Sequence, residues 1–78
     1  MKHLQNSVKA SVKYGENSGY VAYCSDIAVV TQANTIDETV KNIQEAVSLF
    51  FENENLNDLG FTTNPSIIIT FETDPVYA

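Results

Sequence analysis

The 78 residues carry ten Asp and Glu against four Lys and no Arg, with one histidine, one cysteine and a formal net charge of −6 at pH 7. That size bounds the chain to a single domain, residues 1–78. The charge leaves too little Lys and Arg to neutralise phosphates, so direct nucleic-acid binding is not expected. No apolar run approaches the roughly 20 residues of a membrane span, and Met1-Lys2-His3-Leu4-Gln5-Asn6 lacks the apolar core of a secretory signal.

A domain this small buries only roughly 60–65% of its unfolded surface. Cys24 stands alone, so no disulfide supplements the core. Self-association into a homodimer or higher homo-oligomer is therefore expected, and a lone thiol suits a reducing cytoplasm.

Along the chain, Ser7-Val8-Lys9-Ala10-Ser11-Val12-Lys13-Tyr14 alternates with period two, as a half-buried strand does. Gly15-Glu16-Asn17-Ser18-Gly19 supplies turn residues. Tyr20-Val21-Ala22-Tyr23-Cys24 suits a pleated surface. Pairing Tyr14 with Tyr20 predicts a hairpin with Val8, Ala10, Val12, Tyr20, Ala22 and Cys24 toward the core. Val21 and Tyr23 then project the other way, beside Ser11 and Lys13; a one-residue slip would invert every side chain.

Residues 28–32 read as a short third strand. Thr35 and Glu38 then have the spacing of a capping box, and Asp37 and Glu38 complement the positive end of a helix dipole. Ile36, Val40, Ile43, Val47 and Phe50 recur at spacings of four and three, forming an apolar stripe widened by Ala46 and Phe51. The helix should run to Glu52, with Glu45 on its polar side. Asn, Asp and Gly break the pattern over residues 53–60, where Leu56 and Leu59 are candidates to pin the loop to the core. Pro65 resets the chain, Ser66-Ile67-Ile68-Ile69-Thr70-Phe71 reads as a fourth strand, and Asp74-Pro75 ends it.

The predicted fold class is α+β, in the order β-β-β-α-β, with a small antiparallel-type sheet and one long helix on one face. One helix about 10 Å across covers one face of such a sheet. The other face, with Val21, Tyr23, Ile68 and Val30 among Ser11, Lys13 and Thr70, has no cover in the sequence. Tyr23 beside Ile68 would make it adhesive.

Chemistry is hard to find. His3 has no neighbouring ligand for zinc, and Cys24 on a core face reads as an inert thiol. Gly15, Gly19 and Gly60 match no phosphate loop. The strand order resembles part of a ribonuclease H fold, but a two-metal nuclease needs several converging carboxylates. Residues 7–14 contain none, Glu45 faces outward, and Asp26 and Glu72 sit at strand ends. No catalytic residue, metal or cofactor is expected, and the chain is read as a non-enzyme.

The run from Gly19 to Asp26, then Val30-Thr31-Gln32, then Thr35-Ile36-Asp37-Glu38 with its helix, resembles the HicB-like antitoxin family over residues 7–53 and more loosely over the last strand. The resemblance implies a degenerate, partial RNase H-like fold without nuclease activity. It also implies a cytoplasmic toxin–antitoxin role, in which the protein binds and masks a small basic HicA-type mRNA interferase. The family's usual Pro-Gly turn after the aspartate is Ile27-Ala28 here. Many such antitoxins add a C-terminal DNA-binding segment, which residues 72–78 do not resemble, so operator binding is not carried over. The alternative is a stand-alone homo-oligomer of the same domain without a cognate toxin. Candidate interface residues are Val21, Tyr23 and Ile68 from the open face, with Asp26, Glu16, Asp37, Glu38 and Glu45 for electrostatic contacts.

Overall fold

The computed structural model describes residues 3–15 and 19–73. Four strands and one helix follow in the order β1 (Gln5–Tyr14), β2 (Tyr20–Cys24), β3 (Val30–Ala33), α1 (Ile36–Phe51) and β4 (Phe61–Phe71). They build one α+β unit with the sheet order β3-β2-β1-β4. The hairpin register is the predicted one, with Ala10 opposite Cys24, Val12 opposite Ala22 and Tyr14 opposite Tyr20. The central residues of its loop, Glu16 among them, lie outside the described residues, as do Asp74 and Pro75.

The first three strands pair antiparallel, but β4 enters parallel to β1, with Val8 beside Ile67 and Val12 beside Phe71. The sheet is therefore mixed rather than wholly antiparallel. The cause is the connection: α1 is long enough to carry the chain from one edge of the sheet to the other, as parallel pairing requires. Gly19 is needed at the start of β2, because a Cβ there would lie 2.8 Å from the carbonyl oxygen of Ala33.

Alternate residues of the strands supply the core. Val8, Ala10, Val12, Ala22 and Cys24 are buried, and Tyr20 packs partly buried against them. Helix α1 begins at the predicted cap, where Thr35 Oγ1 accepts the N–H of Glu38 at 3.1 Å. Its buried line is Thr39, Ile43 and Val47. The stripe is thus rotated from the predicted one: Ile36 is 41% exposed, Val40 is half-buried, and Thr39 is fully buried. Thr39 tolerates this because its hydroxyl donates to the Thr35 carbonyl at 2.7 Å, which satisfies the polar atom inside the helix itself.

Asn53 takes a positive φ of 64° just beyond the helix, a conformation Asn adopts more readily than most residues. Leu56 packs against the core, whereas Leu59 is 41% exposed and does not pin the loop. Gly60, at φ 91°, turns the chain into β4. That strand begins five residues before the predicted start. Phe61 is buried, and its ring lies 5.3 Å from that of Phe51 in an edge-on pair. Pro65 does not break the strand. Between the pairs Gln5/Phe61 and Ser7/Ser66 the ladder is irregular, and the bulge accommodates a proline on an edge strand.

Candidate functional site

Strand periodicity sends every second side chain to the face away from α1. On β1 these are Ser7, Lys9, Ser11 and Lys13. The registers place Val21 and Tyr23 of β2, Val30 and Gln32 of β3, and Ser66, Ile68 and Thr70 of β4 on the same side. No other described element covers this face. Val30 is 72% exposed and Ile68 48% exposed, while Val21 and Tyr23 are half-buried by their neighbours.

The apolar residues form two patches rather than one. Val21, Tyr23 and Val30 cluster on β2 and β3. Ile68 lies on β4 next to Lys9, with β1 between, so Tyr23 is not directly beside Ile68. Two strand spacings of about 4.8 Å separate their backbones. The Tyr23 ring spans part of that gap. Its hydroxyl donates to Glu72 Oε1 at 3.3 Å, and the ammonium of Lys13 stands 5.6 Å from its ring centre. Ser11 and Thr70 share a hydroxyl contact of 3.4 Å in the same row. The face thus presents an aromatic with a cation over its ring and a carboxylate at its hydroxyl, a polar middle and aliphatic flanks.

The predicted acidic residues do not gather around it. Asp26 lies at the rim, in the turn after β2, and its Oδ2 accepts the backbone N–H of Lys9 at 3.3 Å, replacing the strand partner that β2 no longer supplies. Asp37, Glu38 and Glu45 are exposed on α1, on the opposite side of the sheet. Glu38 instead helps line an open polar groove of about 590 Å³ between the hairpin end and the start of the helix, with Tyr20, Gln32, Asn34 and Asn42. Glu72, which the sequence offered only as an acid at a strand end, is the carboxylate that touches Tyr23. The missing clue was the parallel placement of β4, which the one-dimensional pattern does not carry.

Among the described residues no three His, Cys, Asp or Glu side chains come together as metal ligands would. Cys24 is buried on the core face. Burial pushes its thiol pKa up from the usual value, and the negative charge of Asp26 adds to the rise, so the nucleophilic thiolate is disfavoured. No helix among the described residues is long and apolar enough to cross a membrane.

No family model matches the chain, and neither a curated protein nor a solved structure shows significant similarity to it.

Proposed function

We propose that the chain is a non-catalytic, antitoxin-like binding module that associates in the cytoplasm with a small basic protein of the HicA mRNA-interferase type and masks its RNA surface. The observation that carries this reading is the uncovered sheet face, on which Tyr23 is fixed between Lys13 and Glu72 with Val21 and Val30 alongside. Amphipathic aromatics held in place are effective contact residues, because little conformational freedom remains to be lost on binding. The resemblance of residues 7–53 to HicB-like antitoxins suggests the class of partner, and the net charge of −6 supplies attraction to a basic one.

The two sides of the molecule then divide the work. Val21, Tyr23, Val30 and Ile68 make contact, with Asp26 and Glu72 at the rim. Asp37, Glu38 and Glu45 lie too far round to touch a partner seated on the sheet, and they act through the long-range field that steers encounter.

The test is co-expression and co-purification with any small basic HicA-type protein whose reading frame adjoins that of this chain. Rescue of growth and a co-purifying complex support the reading; failure of both removes it. Tyr23→Glu should abolish the complex while leaving the helical circular-dichroism signal intact. Glu45→Lys should slow association several-fold at low salt and leave dissociation unchanged, since distant charges act on the on-rate.

A further inference from the structure

The polar groove at the hairpin end is shaped by β2, β3 and the start of α1. Gly19 and Ala33 line it with little more than backbone; a Cβ on Gly19 would already lie 2.8 Å from the Ala33 carbonyl oxygen. Tyr20 lines it from β2, and its ring is steadied by Tyr14 at 4.9 Å and Phe71 at 6.0 Å between ring centres. Gln32, Asn34, Glu38 and Asn42 supply the polar groups.

Two hydrogen bonds set those groups. Asn42 Nδ2 donates to the Gln32 carbonyl at 3.4 Å, which orients the amide and leaves its oxygen to accept. Thr35 Oγ1 takes the Glu38 N–H, but among the described residues no bond returns from the Thr35 N–H to the Glu38 carboxylate. The second half of the capping box is missing, and the carboxylate is left to the groove.

We propose that this groove is a guanidinium-binding site. Tyr20 stacks on the planar cation, Glu38 accepts a pair of its N–H groups, and the side-chain oxygens of Gln32, Asn34 and Asn42 accept the others.

Charge, shape and donor count choose this ligand. Glu38 is the only charged side chain among the described residues that line the groove, so a cation is attracted and a phosphate or carboxylate repelled. Asp37, in the same first turn, offsets the positive end of the helix, which would otherwise oppose a cation. One carboxylate is too few for a hard metal ion, and no ligand cluster occurs among the described residues. An ammonium is a compact charge with three donors, whereas a guanidinium is flat, stacks on aromatic faces and presents five donors in fixed directions. A ring beside a carboxylate and three amide oxygens matches the second pattern. The volume of about 590 Å³ is that of a small-ligand cleft, but the polar lining departs from the usual apolar one and suits a charged, hydrogen-bonding group. A smaller recess of about 270 Å³ shares Tyr20 and Asn34 and reaches Asp37, which gives room for chain flanking an arginine side chain.

The guanidinium has two sources, a free small molecule and an arginine of another protein. Binding is read on this chain alone, so the proposal stands or falls apart from the masking of a toxin.

The probes are agmatine and arginine capped at both ends, titrated into the isotope-labelled chain and followed by NMR. Each should shift the side-chain amide signals of Gln32, Asn34 and Asn42 saturably, with a millimolar dissociation constant. Tighter binding of the capped arginine identifies a protein source; equal or tighter binding of agmatine identifies the free molecule. Glu38→Gln keeps the size of the side chain and should weaken both at least about fivefold. Glu54→Gln makes the same change of net charge beyond the far end of α1 and should weaken neither. Should Glu38→Gln unfold, capped citrulline decides the matter, because its neutral ureido group has the shape without the charge and should not bind the parent. Absence of saturable shifts, equal binding of capped citrulline, capped lysine or a neutral hexose, or equal weakening by Glu54→Gln would each overturn the proposal.

Discussion

The two faces of this sheet are written in the same strands and have opposite fates. Val8, Ala10 and Val12 are at most 2% exposed, whereas their immediate neighbours Lys9 and Lys13 are exposed. The difference arises from a single helix, which shields one side and leaves the other without any described cover. Apolar residues on the covered side hold the molecule together; Val30 and Ile68 on the bare side contribute little to the core. The comparison separates stability from recognition, residue by residue along one strand.

Substitutions at adjacent positions break the comparison most sharply. Val12→Asp places an unpaired charge in the core and should abolish the folded circular-dichroism signal, while Ser11→Asp, one residue along on the bare face, should leave that signal in place at a cost of about 1 kcal/mol. Ile43 is fully buried on the covered side. Ile43→Ala should cost about 2–5 kcal/mol in urea unfolding, by loss of burial and creation of a cavity. For a domain of this size that corresponds to a fall of at least about 8 °C in Tm. A smaller loss would mean that α1 is not the principal cover.

The helix cap sharpens the picture at lower amplitude. Thr35→Ala leaves the Glu38 N–H without its side-chain acceptor and should cost about 1 kcal/mol by the same measurement.

The smallest effect concerns pH. Cys24 has its folded-state pKa raised by burial and by Asp26. Its stabilising contribution is complete below the unfolded thiol pKa and declines as pH rises toward the folded one, because the unfolded state loses its proton first. Urea midpoints should therefore fall less between neutral and alkaline pH in Cys24→Ala than in the parent. Equal falls would show that the thiol is not desolvated.

Much of this was legible in the linear pattern because the relevant interactions are local or strictly periodic. Two-residue alternation and turn residues over residues 7–24 fixed the hairpin and its register. Thr35 with Glu38 marked the start of the helix, since a capping residue acts on backbone groups three positions away. The bare face followed from counting helices. Tertiary context overruled the pattern at specific residues. Thr39, which hydropathy places outside a core, is buried because its hydroxyl bonds within the helix; Ile36, which hydropathy places inside, lies beyond the edge of the contact. Phe61 escaped notice because Pro65 argues against a strand, and only an edge position with a bulge removes that objection.

The sequence by itself determined the kinds and order of the elements, the hairpin register, the cap and the two-sided character of each strand, all of which depend on neighbours a few residues away. Only the tertiary structure decided that β4 runs parallel beside β1, that Tyr23 reaches Glu72 while Ile68 stands apart, and that the helix carboxylates lie behind the sheet. Those facts depend on how the chain crosses from one edge to the other, and a crossover leaves no period in the residues it brings together.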